Sequence, residues 1–280
     1  MTLTSTRLLS RLGTAAALAL LLASPGPARD ISIPFDADNF DNPLVIDNEF
    51  FPLEVGTSFT YRAEGPDGCE WNVFSVTDQT KLITINGESV TTRVIEDLAY
   101  EDEDCGGIDP DELVEKTFDW HAQDDTGNVW YFGEETYDCE GADSCVLGDG
   151  SWEAGKDIQG TGVNAQPGIF MLASPRQGDS YYQEIYVGFA EDQALVKGTN
   201  SAVRLSFDDA FPPGEWDECI VTKEWTTLSP GSVEQKYYCS GVGLVKVVEH
   251  HGKNLTFELI DPDFASETGD AFRFRKPPSN

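Results

Sequence analysis

From Thr57 onward, apolar and polar positions alternate with a period of two, and the alternating runs are rich in Val, Ile, Thr, Tyr, Phe and Trp. The clearest runs lie at 57–62, 71–76, 90–98, 117–123, 129–134, 181–187, 203–207, 219–226, 233–239, 244–248 and 255–259. Only 110–116 and 190–196 carry any helical pattern, and each is short enough to be a single turn or a strand. Gly and Pro clusters punctuate the chain as they do antiparallel sheets, with no spacing that suggests strand–helix–strand units. The pattern predicts an all-β fold, an antiparallel and strongly curved sheet (half-barrel, barrel or sandwich), in a single domain over 57–265. Residues 29–56 are Pro-broken and Asp/Asn-rich and predict an irregular strap. The Gly-rich stretch 141–168 predicts a long ordered loop, and 266–280 a C-terminal tail.

Two hairpins can be placed in register. In DWHAQDDTGNVWYFGE, Asp119 to Glu134, a three-residue loop Asp125-Thr126-Gly127 with Gly in the left-handed position pairs Asp124 with Asn128. Ala122 then faces Trp130, Trp120 faces Phe132, and His121 meets Tyr131 on the other side. The aromatic face carrying Trp120, Trp130 and Phe132 is expected in the core. The face carrying Asp119, His121, Gln123 and Tyr131 is expected to line a concavity or meet water, so that His121→Ala would leave folding nearly intact. In the second hairpin, setting Cys219 opposite Cys239 leaves a five-residue turn, Thr227-Leu228-Ser229-Pro230-Gly231, and places Val221 against Tyr237 and Trp225 against Val233. A third hairpin joins 242–249 to 254–259 and puts His250 and His251 at its tip.

Residues 1–28 read as a secretory signal peptide: Arg7 and Arg11 precede an apolar run at 15–23 and a small-residue exit at Gly26-Pro27-Ala28. The run is too short to span a bilayer, and no transmembrane segment is expected elsewhere. The six cysteines, Cys69, Cys105, Cys139, Cys145, Cys219 and Cys239, then read as a disulfide framework of a secreted or periplasmic protein. The pairing expected is Cys69–Cys105, Cys139–Cys145 across a short loop containing Gly141, and Cys219–Cys239 from the hairpin register.

Composition sharpens this picture. Fifty acidic residues oppose 18 basic ones, and removing residues 1–28 takes away two arginines and no acid, leaving a net charge of −34. Such a chain excludes a nucleic-acid partner read through a basic groove. A charge of this size is ordinarily a solvated surface and names no partner by itself.

Three segments together resemble a group of exported bacterial β-rich proteins that brings no assigned activity, substrate or cofactor. They are the Asp119–Glu134 hairpin, the stretch Gly178-Asp179-Ser180-Tyr181-Tyr182-Gln183-Glu184 running into Ala190-Glu191-Asp192, and Lys236-Tyr237-Tyr238 followed by Gly241-Val242-Gly243-Leu244-Val245. The resemblance covers about residues 45–260 and implies export and a β-rich fold.

Candidate chemistry is sparse. Asp119, His121 and Tyr131 could form a proton relay on one face of the hairpin, although a strand histidine is more often structural. No nucleophile elbow, phosphate loop, dinucleotide fingerprint or zincin helix is present. Glycoside chemistry needs only two carboxylates, and Trp120, Trp130 and Trp152 could stack on sugars, but these rings read first as core. Calcium is conceivable at three acidic clusters: 36–41, Glu101 to Asp104 with Asp109, Asp111 and Glu112, and Asp124-Asp125 with Asn128. None fits the twelve-residue calcium loop. No other cofactor is expected, and the sequon Asn254-Leu255-Thr256 is uninformative in a bacterial-looking chain. The sequence therefore points to an exported, non-enzymatic protein binding an unknown ligand or envelope partner in the hollow of its sheet. A carboxylate-based hydrolase of extracellular polysaccharide and a calcium-dependent surface or matrix protein are the alternatives.

Overall fold

Alternating β-branched and aromatic residues form sixteen strands in the computed structural model, which describes residues 28–207 and 215–263. The signal peptide assigned to 1–28 lies outside the described residues except for Ala28, and the tail at 266–280 lies outside them entirely. A two-residue strand β1 (Arg29–Asp30) precedes the irregular strap, whose only regular element is a short 3-10 turn at Ala37–Asn39. The first half of the sheet consists of β2 (Ser58–Gly65), β3 (Gly68–Ile85), β4 (Glu88–Asp102), β5 (Leu113–Gln123) and β6 (Val129–Cys139). Short strands β7 (Cys145–Leu147), β8 (Trp152–Glu153), β9 (Gln166–Met171), β10 (Asp179–Tyr182) and β11 (Glu184–Ile185) follow. The second half is β12 (Asp192–Arg204), β13 (Glu215–Thr226), β14 (Val233–Cys239), β15 (Gly243–Glu249) and β16 (Thr256–Asp263).

The halves join through β16 and β2, and the order along the sheet is β1-β10-β12-β13-β14-β15-β16-β2-β3-β4-β5-β6-β9-β11. Pairing is antiparallel except between β1 and β10. The sheet curls without closing its ladder into a barrel. Its two ends are instead linked by one stretch of chain: β10 pairs with β12, β11 pairs with β9, and only Gln183 separates β10 from β11. The ends meet tightly there, since a Cβ on Gly168 of β9 would lie 2.1 Å from the Gln183 carbonyl oxygen. Glycine at this position permits the close approach.

The segment at 110–116 is a single 3-10 turn, Pro110–Glu112, running into β5, and the segment at 190–196 runs into strand β12, where pairing with β13 overrides its weak helical pattern. All three disulfides are those expected: Cys69–Cys105, Cys139–Cys145 and Cys219–Cys239, and no described cysteine is free. The Cys219 hairpin has the expected register throughout, with Val221 opposite Tyr237 and Trp225 opposite Val233.

The β5–β6 hairpin keeps its expected register only near the turn. His121 pairs with Tyr131 and Ala122 with Trp130, but Asp119 pairs with Glu134, so Trp120 does not sit directly opposite Phe132. One extra residue on β6 makes a bulge at Phe132–Gly133, where Gly133 has a φ of +126° and a Cβ would lie 2.3 Å from the Trp152 carbonyl oxygen. The close passage of β8, which pairs with β6 beside the bulge, accounts for the irregularity.

The aromatic face is nevertheless core. Trp120, Trp130, Phe132 and Trp152 are buried in one cluster with Ile83, Ile85 and Val94. The strap covers this face: Phe35 and Phe40 pack on Trp130 and Phe132 with ring centroids 5.9 to 6.2 Å apart. Truncating Trp120, which is 4% exposed, removes a large buried ring. Trp120→Ala is expected to cost about 3–5 kcal/mol, read as a lowered urea midpoint at unchanged slope.

Candidate functional site

On the side of β5 and β6 away from that aromatic cluster, the curled sheet surrounds a partly open cavity of about 230 Å³. Its lining comes from nearly the whole circuit of strands. Phe59 and Tyr61 stand on β2, Asn72 and Phe74 on β3, Asp97 on β4, Asp119 and His121 on β5, Tyr131 on β6 and Phe170 on β9. Glu184 of β11, Asp192 of β12, Glu224 of β13, and Lys236 and Tyr238 of β14 complete it. The three residues expected on a functional face, Asp119, His121 and Tyr131, are therefore brought together on the cavity wall.

The strap also reaches the cavity, and its path is fixed by polar ties. The side-chain oxygen of Gln123 accepts hydrogen bonds from the backbone of Asp47 and Asn48, and the Asn48 amide donates to the carbonyls of Gly127 and Leu172. These contacts deliver Phe51, Pro52 and Leu53 into the hollow. Phe51 is the hub of an aromatic group, 4.4 Å from Phe170, 5.6 Å from His121 and about 6 Å from Phe74 and Tyr238.

The three hairpin residues do not form the relay drawn from sequence. His121 is 2% exposed and stacks on Tyr131 at 4.8 Å, with its Nδ1 hydrogen donated to the Trp130 carbonyl at 3.3 Å. Burial pushes its pKa down to about 3, so the ring is neutral at any ordinary pH. It makes no hydrogen bond to Asp119. Because the ring is buried between Phe51, Tyr131 and Phe170, His121→Ala removes these contacts at the cavity wall and is expected to cost more than the mild effect read from sequence.

The polar contact that does form is Asp119–Tyr131–Glu134. The Tyr131 hydroxyl lies 2.5 Å from Asp119 Oδ1 and 2.9 Å from Glu134 Oε2. A phenol carries one proton and can donate to only one of these groups, so the other carboxyl must itself be protonated to donate back. The bulge makes this possible: the extra residue shifts the parity of β6 so that Glu134 falls on the same side as Tyr131.

Other acids extend the cluster. Asp97 accepts a short hydrogen bond from the Asn72 amide at 2.5 Å. Burial, reinforced by the neighbouring Asp119, pushes its pKa up to about 8. Burial and Glu134 raise Asp119 to about 8 as well. Glu134 and Glu184 are raised as well, by burial first, and then by the charge of Glu184 on Glu134 and of Asp192 on Glu184. Asp97 and Asp119 are half-buried, and both line the cavity. One cation faces them. Burial would lower the Lys236 pKa, but Glu224 at 3.0 Å and Glu234 at 3.1 Å hold it charged, with its pKa above the usual lysine value.

This arrangement bears on the other chemistries considered. A hydrolase needs its two carboxylates to flank the scissile bond. Asp119 and Glu134 instead flank the Tyr131 hydroxyl, which occupies the space a reacting atom would need. Trp120, Trp130 and Trp152 are buried core rings and offer no sugar platform. Of the acidic clusters, Asp124 is filled by its own turn, accepting hydrogen bonds from Thr126, Asn128 and the Trp130 indole. Asp102 accepts from the backbones of Asp104 and Gly107, and Asp36 caps the strap's 3-10 turn. Among the described residues no group of three or more His, Cys, Asp or Glu side chains is arranged to hold a metal ion.

The acids contributed by β4, β11, β12 and β13, and the aromatic residues of the strap and β9, were not singled out from sequence. The signal available was a charged residue in an inward slot of an otherwise apolar run, as at Asp97 between Ile95 and Ala99. It becomes interpretable only when distant strands are placed around one hollow.

The raised carboxyls make stability depend on pH with a definite sign. A carboxyl that ionises near 8 when folded and near 4 when unfolded holds its proton in the native state, so its contribution is intact below about pH 4 and is lost as pH rises toward 8. Neutral His121 acts oppositely, losing stability as pH falls from 6.5 toward 3. Four raised carboxyls outweigh one imidazole above pH 5. The melting temperature is expected to fall by roughly 5 °C or more between pH 5.5 and pH 8.5, and Asp97→Asn is expected to flatten that slope. A melting temperature that rises over this interval would contradict the assignment.

No family model matches the chain, and no curated protein matches it. Among solved structures, a Bacteroides fragilis protein assigned as exported, with a YmcC-like fold, aligns over 78% of this chain and 100% of its own, at 14% identity and a TM-score of 0.35. A Parabacteroides distasonis protein assigned as a lipoprotein aligns over 77% of this chain and 99% of its own, at 12% identity and a TM-score of 0.35. Three disulfides are consistent with an oxidising compartment, and no helix of the described residues is long and apolar enough to cross a membrane. At this distance the chain is similar to those two proteins in outline only.

Proposed function

We propose that this protein is a non-enzymatic binding protein of the cell envelope or exterior that holds a small ligand inside its curled sheet. The observation that carries this reading is a partly open cavity of about 230 Å³ whose lining carries both aromatic rings and carboxyls. Native cores are packed with few voids larger than a water molecule. A hollow this size, about half as large again as the roughly 150 Å³ cavity that admits benzene, suits a ligand of about ten non-hydrogen atoms. The filling of the Asp119–Glu134 gap by Tyr131 favours binding over catalysis.

The reading is tested by titrating the protein with phenethylamine, 2-phenylethanol and phenylacetate, following calorimetric heats and amide chemical shifts. Saturable binding of at least one, with shift changes at Phe51, Phe170 and Tyr238, is expected. Leu244→Trp, which adds bulk at the cavity wall, is expected to abolish that binding while leaving the fold intact by circular dichroism. Failure of all three probes to bind would remove the reading.

A further inference from the structure

Taking the cavity as a ligand site, as proposed above, we infer that its ligand is a small organic cation, an alkylammonium group carried on an apolar body, bound in exchange for a proton. Asp97, Asp119, Glu184, Asp192 and Glu224 line one cavity from five different strands. The single cation among them, Lys236, is already held between Glu224 and Glu234. Asp97, Asp119, Glu184 and Asp192 have no basic group within ion-pair distance among the described residues. A carboxyl buried without a cationic partner must either keep its proton or acquire a cation. The first course leaves these acids neutral. An ammonium group offers the second, with three N–H donors for carboxylate oxygens that converge around Asp119, which lies in electrostatic reach of both Asp97 and Glu184.

The same lining fits the rest of such a molecule, and Phe74 stands directly across the strand pair from Asp97. Phe51, Phe74 and Phe170 present rings to the same space, and an aromatic face attracts a cation most strongly when both are desolvated. Carboxylates beside aromatic rings discriminate against an anion of the same shape by charge, and against a neutral isostere by the ion pair it cannot make.

The exchange balances simply: a protonated carboxyl and an ammonium ion give an ion pair and one released proton. Affinity for the cation therefore rises with pH through the range in which the carboxyls ionise. An alkylammonium keeps its charge up to about the lysine value of 10.4. The remaining groups that face the acids do not titrate in this window. His121 on β5 is already neutral, Lys236 on β14 stays charged, and burial holds the phenols of Tyr61, Tyr131 and Tyr238 protonated.

The test compares phenethylamine, 2-phenylethanol and phenylacetate, which share one body and differ in charge, by calorimetry on the full protein at pH 6 and pH 8.5. The amine is expected to bind about ten-fold or more tighter than the alcohol at pH 8.5, with phenylacetate weakest. That preference should shrink several-fold at pH 6. Amine binding in two buffers of different ionisation enthalpy should report about one proton released. Asp97→Asn and Glu184→Gln, which keep shape and remove charge, should each weaken the amine about five-fold or more and leave the alcohol unchanged. Equal binding of amine and alcohol, tightest binding of phenylacetate, or an amine preference untouched by both substitutions would overturn the inference while leaving a ligand site in place. Binding by none of the three would overturn both.

Discussion

The carboxylate of Asp124, at the mouth of the β5–β6 turn, accepts five hydrogen bonds: two from Thr126, two from Asn128 and one from the Trp130 indole, all between 2.8 and 2.9 Å. Burial raises its pKa, and these donors outweigh burial and hold it below the ordinary carboxylate value. A turn closed this way admits one register. Because strand side chains alternate between faces, that register decides everything downstream of it: Trp120, Trp130 and Phe132 go to one side, Asp119, His121 and Tyr131 to the other. A slip of one residue would bury the acids against the strap and turn the tryptophans into the cavity.

Both faces of this hairpin are covered by protein, which is uncommon for an antiparallel pair. The same strap does both jobs. Its first part lays Phe35 and Phe40 over the aromatic face, and Gln123 then catches Asp47 and Asn48 so that Phe51 turns into the hollow on the far side. The cavity is thus bounded by the sheet and by a segment held at its rim through hydrogen bonds to one glutamine. Asp119 and Glu134 are tolerated because both meet the Tyr131 hydroxyl, and Asp97 because it accepts from the Asn72 amide, which lowers the desolvation cost of each.

How much of this was legible in the sequence depends on the range of the interactions involved. The Cys219–Cys239 register and the inner part of the aromatic hairpin could be read because turn chemistry and side-chain parity are local and agree there. The bulge at Phe132–Gly133 could not be read, because its cause is the approach of Trp152, twenty residues downstream. With it was lost the inward turn of Glu134. Closure of the sheet at Gln183 was hidden for the same reason: the glycine that permits it, Gly168, lies in a stretch that reads as loop. The site followed suit. Asp119, His121 and Tyr131 are neighbours in one hairpin and could be proposed together, whereas Asp97, Glu184, Asp192 and Glu224 meet only because four remote strands curve around one space.

The two populations of acids in this chain answer to different physics. Those on the surface are hydrated and ionised, and their repulsion is damped over about 8 Å at physiological ionic strength. In the cavity, Asp97, Asp119, Glu184 and Asp192 are held protonated more readily by burial, so they contribute little to the net charge until something cationic arrives. The outer acids nonetheless matter to the inner ones. A surface of one sign concentrates counterions at every opening, and a low-dielectric hollow lined with carboxyls is where that potential is least screened. The same external field that disfavours ionisation of an empty cavity favours occupancy by a cation, because the pair formed there carries one less net charge than the bare carboxylate. Proton and organic cation are then alternative partners for the same oxygens. Which one the cavity holds is set by the pH and composition of the surroundings, with no change required in the fold.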